Sequence, residues 1–263
     1  MRSDEPDSWI GRLGVRILLS LCRDPEAPDY PGGTVKTTLE NSLDFLSRTV
    51  PDFRSRFVDK KVLDFGCGWG NQAVAMAKNG AAEVVGLDIQ WHERARRLAE
   101  EHGCGNRVRF VDRLKPEEMG TFDMVLSCSA MEHFRDPVAA VAQMKAAVRP
   151  GGAVIISFAE PWFGPRGSHF DGFSRVPWVN LLFPEAVVMQ ARARFRSDGA
   201  RHYEEVEGGL NHMSLAKFSR IIRGSGMTIE YYRAFMTKGL PVGGIPVVRE
   251  LFGAAAACIL RAG

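Results

Sequence analysis

The run Val62-Leu63-Asp64-Phe65-Gly66-Cys67-Gly68-Trp69-Gly70 joins an apolar strand to a glycine-rich turn and then to a helix, the arrangement of a nucleotide-cofactor site. Gly66 and Gly68 permit a sharp turn and a close approach of backbone to ligand, and Gly70 permits close helix-to-strand packing. A dinucleotide site of the G-x-G-x-x-G kind sets a helix N-terminus against an anionic pyrophosphate. Here the spacing is D-x-G-x-G-x-G, and a carboxylate at the strand end repels a pyrophosphate and favours a cation. A sulfonium bearing an α-amino group fits that charge. Asp88, closing Glu83-Val84-Val85-Gly86-Leu87-Asp88, stands at the end of the next apolar run, where a carboxylate accepts from both hydroxyls of a ribose or else caps the following helix.

These motifs resemble the first two of the class I S-adenosylmethionine-dependent methyltransferases. The likeness extends to Asp123-Met124-Val125-Leu126-Ser127-Cys128-Ser129-Ala130-Met131-Glu132-His133-Phe134-Arg135-Asp136-Pro137, similar to the family's fourth strand and following loop, and to Val148-Arg149-Pro150-Gly151-Gly152 before the fifth. The resemblance implies S-adenosyl-L-methionine as cofactor and S-adenosyl-L-homocysteine as product; no metal is expected, because the six histidines show no H-x-x-x-H pair and there is no Cys/His cluster with ligand spacing. On it, Gly66, Cys67 and Gly68 lie against the amino-acid part of the cofactor with Asp64 nearby, and Asp88 holds the ribose. Ile89 packs on the adenine face, Asp112 and Arg113 lie at its polar edge, and Cys128 lends its backbone carbonyl to the amino group.

Methyl transfer from a sulfonium is an in-line displacement, so alignment and exclusion of water carry much of the acceleration. A hydroxyl acceptor gains from a neutral imidazole as base near pH 7. His133 and His169 are the two candidates, and Glu132-His133 can alternatively organise its loop. Residues 203–212 suit either a pocket wall or a solvated hinge. Arg192, Arg194, Arg196 and Arg201 form a basic cluster, but side chains two apart on a helix point about 200° apart, which favours a solvated face. Trp162, Phe163, Phe170, Phe173 and Trp178 either line an acceptor pocket or form a core of their own.

Strands are expected near 61–65, 83–88, 107–111, 122–128 and 152–158, with helices near 70–79, 91–102 and 136–148 and a tight turn at Pro150-Gly151-Gly152. A helix at 214–226 and a strand at 227–235 follow, with a last strand at 256–261. The family implies a Rossmann-like α/β fold: a seven-stranded sheet, mostly parallel with an antiparallel edge, helices on both faces and an inserted cap. The expected organisation is a single domain over 1–263, with an N-terminal helix and connector (1–33), a cofactor-binding core (34–158), a substrate cap (159–213) and completion of the sheet (214–263). Within the cap, Pro184 starts a helix running to about Arg196. Another helix spans about 34–49.

Ser8 to Cys22 place Trp9, Leu13, Ile17 and Leu21 at helical spacing, with Ser8 as cap and Arg12 and Arg16 towards solvent. This amphipathic helix docks on the domain or over the cofactor, or lies on a membrane surface.

The chain of 263 residues, 45% hydrophobic and 25% charged, is long enough for one large domain, and its net charge of +3 does not point to a nucleic acid. Five cysteines without a C-x-x-C pair suggest neither disulfides nor zinc. Met1 to Asp7 lack the basic and apolar regions of a secretory signal, so a cytoplasmic setting without stable membrane insertion is expected. The resulting expectation is O-methylation of a small molecule, a sugar or secondary metabolite. N- or C-methylation, a non-catalytic S-adenosylmethionine-binding module and a Rossmann dehydrogenase are the alternatives.

Overall fold

The computed structural model describes residues 9–23, 38–90, 92–170, 173–174, 176–206, 208–241 and 244–263. The Ser8 cap, the missing signal at 1–7, nearly all of the 23–33 connector and the start of the 34–49 helix lie outside them. Helix α1 is Trp9–Ser20. From residue 38 the chain makes a turn, and only Asp44–Thr49 (α2) is helical, followed by a short helix at Phe53–Arg56 (α3), so the expected helix at 34–49 is corrected to its last turns.

Strand and helix then alternate: β1 (Lys61–Phe65), α4 (Asn71–Lys78), β2 (Glu83–Leu87), α5 (His92–Glu101), β3 (Val108–Val111), β4 (Phe122–Cys128), α6 (Pro137–Ala147) and β5 (Val148–Ala159). The short apolar runs become strands because both faces are covered. Leu63 and Val85 join the core on one face of the sheet, Val62 and Val84 that on the other. Asp136 caps α6, its Oδ1 accepting from the N–H groups of Val138 (3.0 Å) and Ala139 (2.9 Å), and Pro137 takes a position where no N–H is missed. The expected turn at Pro150-Gly151-Gly152 is instead a bulge inside β5. Phe122 pairs with Val148 and Met124 with Ala153, and the surplus residues are taken up with Gly151 at φ 72°.

Beyond β5 come α7 (Val179–Leu182), α8 (Glu185–Arg192), α9 (Leu215–Gly224), β6 (Thr228–Met236), α10 (Pro246–Leu251) and β7 (Gly253–Arg261). Ser214 caps α9 through the Lys217 N–H at 3.0 Å, and Glu250 accepts from the next two free donors, Leu215 and Ala216. Helix α8 ends four residues before the expected Arg196, and Pro184 sits just outside it. The sheet order is β3-β2-β1-β4-β5-β7-β6, with β7 antiparallel to both neighbours and the other strands parallel. The strand order reverses between β1 and β4, which opens a crevice at their carboxyl ends.

The segment between β5 and α9 has its own apolar cluster, with Phe170, Phe173, Val179, Val187, Val188 and Tyr203 at its centre, and Leu18 of α1 completes it. Phe170 and Phe173 are therefore core residues of that segment, and Trp162 packs against them. Trp178 turns to the far end, donating from Nε1 to Leu251 O at 2.9 Å. Of the five aromatics considered for a pocket wall, Phe163 is exposed.

Candidate functional site

Two groups of residues meet at the switch-point crevice. The first is the turn after β1. Gly66 and Cys67 both donate to Leu87 O (2.8 and 3.2 Å), and the Gly68 N–H donates to Asp88 Oδ2 at 2.8 Å, which ties the turn to the end of β2. Gly66 and Gly68 are glycines for different reasons. At Gly66 (φ 80°) a Cβ would lie 2.8 Å from that of Ala130, so the protein itself forbids a side chain. At Gly68 (φ 50°) a Cβ would meet nothing within 4 Å, so this stretch of backbone borders open space in which a ligand can sit against the peptide.

Asp64 is 2% exposed beneath this turn and its Oδ2 has no hydrogen-bond partner. Burial, and then the Asp88 charge, push its carboxyl up to about 7. A buried acceptor without a partner is costly, and a cationic donor in the crevice relieves it. The other Asp88 oxygen accepts from the Gln90 N–H at 3.1 Å, so both oxygens are oriented by backbone with lone pairs to spare. Ile89 is 85% exposed, an apolar face without a protein partner beside that carboxylate. At the end of β3, Asp112 and Arg113 are both exposed and lie 3.8 Å apart at their charged atoms. Cys128 closes β4, its thiol buried and pushed up to about 12 by desolvation, so it is not a nucleophile near neutral pH. These groups suit an adenosyl sulfonium with an amino-acid tail: a carboxylate acceptor for the ribose hydroxyls, a buried acid for a cationic head, and an exposed aliphatic side chain for the purine.

The second group surrounds the loop after β4. Asn211, about eighty positions further on, clamps that loop. Its Nδ2 donates to Met131 O and Phe134 O, each at 2.7 Å, and its N–H to Glu132 O at 2.9 Å. His133 Nδ1 lies 2.7 Å from Gly209 O. A carbonyl only accepts, so Nδ1 carries the hydrogen and the basic lone pair is on Nε2. The rings of His133 and His169 are 5.6 Å apart and perpendicular, so both sequence candidates belong to one site. Burial lowers the pKa of both imidazoles, and His169 falls to about 4.

His169 Nε2 is buried without a hydrogen-bond partner, 3.7 Å from Glu160 Oε2. Glu132 is buried, its carboxyl pushed up to about 8 by desolvation, with Oε2 unpartnered. Tyr203 OH is likewise unpartnered, and His212 stacks on Trp162 at 4.0 Å. Ser129, Glu160, His169 and His212 all hold left-handed backbone (φ 52–57°), a strain of roughly 1–3 kcal/mol each, as do Asp52, Asp59, Trp178 and Lys238 elsewhere.

In the sequence Glu132 is at most an organiser of its own loop, Asn211 falls in a stretch that suits either a pocket wall or a hinge, and Glu160 goes unmarked. The signal for Glu160 was present: it directly follows β5, at the carboxyl end of a parallel strand, where ligands of such sheets bind. The basic cluster does not converge. Arg192 pairs in bidentate fashion with Asp198 at 2.6 Å, while Arg194 and Arg196 lie beyond the helix end and are exposed.

Residues 62–152 match the family described as "Methyltransferase domain". Over 104 residues the chain is 36% identical to a ubiquinone biosynthesis O-methyltransferase of Bordetella avium, a match covering 37% of this chain and 42% of that protein. The chain thus spans under half the length of such curated relatives. In solved structures, the fold matches a [4+2]-cyclase (TM-score 0.55, 14% identity, 88% of this chain and 84% of that one). It also matches an S-adenosylmethionine dependent methyltransferase from Mesorhizobium loti (TM-score 0.51, 20% identity, 78% and 92%). Residues 62–152 thus match a methyltransferase domain, and the seven-stranded sheet around them has the fold of the class I S-adenosylmethionine-dependent methyltransferases.

Proposed function

We propose that the protein transfers a methyl group from S-adenosyl-L-methionine to a hydroxyl of a small molecule, a sugar or a secondary metabolite, enclosed beneath residues 159–213 as a cap. The observation that carries the O-methylation reading is the pair of perpendicular imidazoles, His133 and His169, both held neutral by burial beyond the carboxyl end of β4. The bound cofactor supplies an electrophilic methyl group on a sulfonium.

The chain's own residues do the rest. Asp64 and Asp88 bind the cationic head and the ribose, Gly66, Cys67 and Gly68 bring backbone against the tail, and Cys128 offers its carbonyl to the amino group. Ile89 covers one face of the adenine, with Asp112 and Arg113 at its edge. His133 Nε2 takes the hydroxyl proton as the oxygen attacks, and Gly209 O keeps the tautomer that makes this possible. His169 stands against His133, and desolvation keeps the buried Glu132 carboxyl protonated near neutral pH, so that it adds no charge. The cap excludes water, because its aromatic side chains form a packed core rather than a loose fringe.

The naming of a relative as an O-methyltransferase agrees with this reading, and the [4+2]-cyclase shows that the fold alone does not fix the reaction. The test begins with binding: S-adenosyl-L-homocysteine is expected to bind and NAD is not. Protein incubated with methyl-labelled cofactor and a small-molecule extract of its own cells should then label a neutral, acid-stable ether. Binding without transfer to any acceptor would favour a sensing module, and label on nitrogen or carbon would remove the need for the histidine pair.

A further inference from the structure

Helix α1 is held the opposite way round from the one its sequence suggests. Its inner face is Gly11, Gly14, Val15 and Leu18; Leu18 is fully buried, and a Cβ on Gly14 would lie 3.4 Å from Val187 of α8. The end of the helix is fastened as well, because Arg23 N donates to Phe173 O at 2.9 Å and Ser174 Oγ to Leu21 O at 3.0 Å. The larger apolar side chains face outward: Trp9 is 67% exposed, and Ile10, Leu13, Ile17 and Leu21 are 45–48% exposed. At 100° per residue these five fall within an arc of about 120°, interrupted only by Ser20.

Arg16 and Arg12 border one side of that arc, about 20° and 60° from Trp9, and both are exposed. The helix contains no acidic residue. More positive charge gathers at its far end, where exposed Arg23 follows the helix and the Arg196 guanidinium lies 5.4 Å over the ring of Phe173.

We propose that this face is a membrane-docking surface whose occupant is an anionic lipid bilayer. Trp9, Ile10, Leu13, Ile17 and Leu21 enter the boundary between headgroups and acyl chains, and Arg16, Arg23 and Arg196 meet lipid phosphates. A rim of arginine beside a tryptophan-bearing apolar stripe is the composition of a helix lying in the interface plane. Among the described residues no helix is long and apolar enough to cross a membrane, so docking is peripheral. The helix is fixed to α8 before it meets lipid, so binding does not have to order it first.

Sedimentation of the full chain with vesicles tests the surface. Binding is expected to vesicles of phosphatidylcholine with about a third phosphatidylglycerol, to be much weaker with phosphatidylcholine alone, and to fall as salt is raised. The double substitution Leu13→Glu/Ile17→Glu should lower partitioning by at least tenfold, on the order expected when two buried aliphatic side chains become charged. Both positions are exposed, so the double variant should keep the wild-type melting temperature and affinity for S-adenosyl-L-homocysteine. Trp9→Phe should abolish the part of the fluorescence that brominated lipid quenches. Absence of vesicle binding, or binding indifferent to the double substitution, overturns the proposal. A dimer that the same substitution dissociates, in a protein that ignores vesicles, assigns the face to a second copy instead.

Discussion

The two halves of the candidate site are built in contrasting ways. The cofactor half is local: Asp64, Gly68 and Asp88 lie within one strand-turn-helix-strand unit, and backbone N–H groups orient Asp88. The acceptor half is assembled from distant segments, with His133 from the loop after β4, His169 and Glu160 from the segment after β5, and Asn211 locking the loop from just before α9. Local construction leaves one unpartnered buried oxygen, on Asp64. Distant construction leaves Glu132, His169, Tyr203 and Asn211 each with an unpartnered buried polar atom, alongside four strained residues. The first half is thus ordered by close neighbours in sequence, and the second by contacts across the fold.

Substitutions should separate the halves. The largest effect is expected from His133→Ala, which should lower kcat by about 10²–10³ while leaving the Kd for S-adenosyl-L-homocysteine within about twofold. A matching loss of cofactor affinity would merge the two halves into one. Next, Asn211→Ala removes the clamp on Met131 O and Phe134 O and should cost about 2–3 kcal/mol in urea unfolding, with cofactor affinity preserved in the folded fraction. Asp88→Ala inverts the pattern, weakening S-adenosyl-L-homocysteine by about 2 kcal/mol in calorimetry and changing kcat little at saturation. Unchanged affinity would remove Asp88 from the site.

The same contrast explains what was legible in the sequence. The alternation of strands and helices, the D-x-G-x-G-x-G turn and Asp88 were readable because each is encoded by neighbours a few residues apart, and β1, β4 and α4 lie within a residue of expectation. His133 could be named from its motif, but its tautomer depends on Gly209, whose approach is a tertiary fact. Glu160 drew no attention because a single acid after a strand has no periodic signature. Helix α1 misled for a different reason: its stripe of Trp9, Leu13 and Ile17 has the spacing of a packed face, but the opposite side, with buried Gly11 and Leu18, is the one the fold covers. Periodicity locates an apolar stripe without saying what covers it.

The smallest effect is a pH dependence, and it too divides the halves. Asp64 and Glu132 have folded-state pKa values raised to about 7 and about 8, so the stability each contributes is full below the ordinary carboxylate range and is lost as pH rises through those values. His133 and His169 are lowered, so their contribution is full above the ordinary imidazole value and is lost as pH falls towards about 4 for His169. Between about pH 4.5 and 6.5 the two trends oppose each other, whereas from about 6.5 to 8 only the carboxyls act. The ligand-free protein should therefore lose on the order of 1–2 kcal/mol across that upper window, read as a fall of a few degrees in Tm. Glu132→Gln should flatten most of the fall, because Asp64 has nearly completed its loss by pH 7. Cofactor binding should respond with the opposite sign and through Asp64 alone: a cationic head in the crevice favours the ionised carboxylate, so affinity for S-adenosyl-L-homocysteine should rise from pH 5 to 7 and then level off, with a proton released on binding. A Glu132→Gln variant that flattens the fall in Tm and leaves the rise in affinity intact would show that the two halves titrate independently; loss of both trends in that one variant would show that they do not.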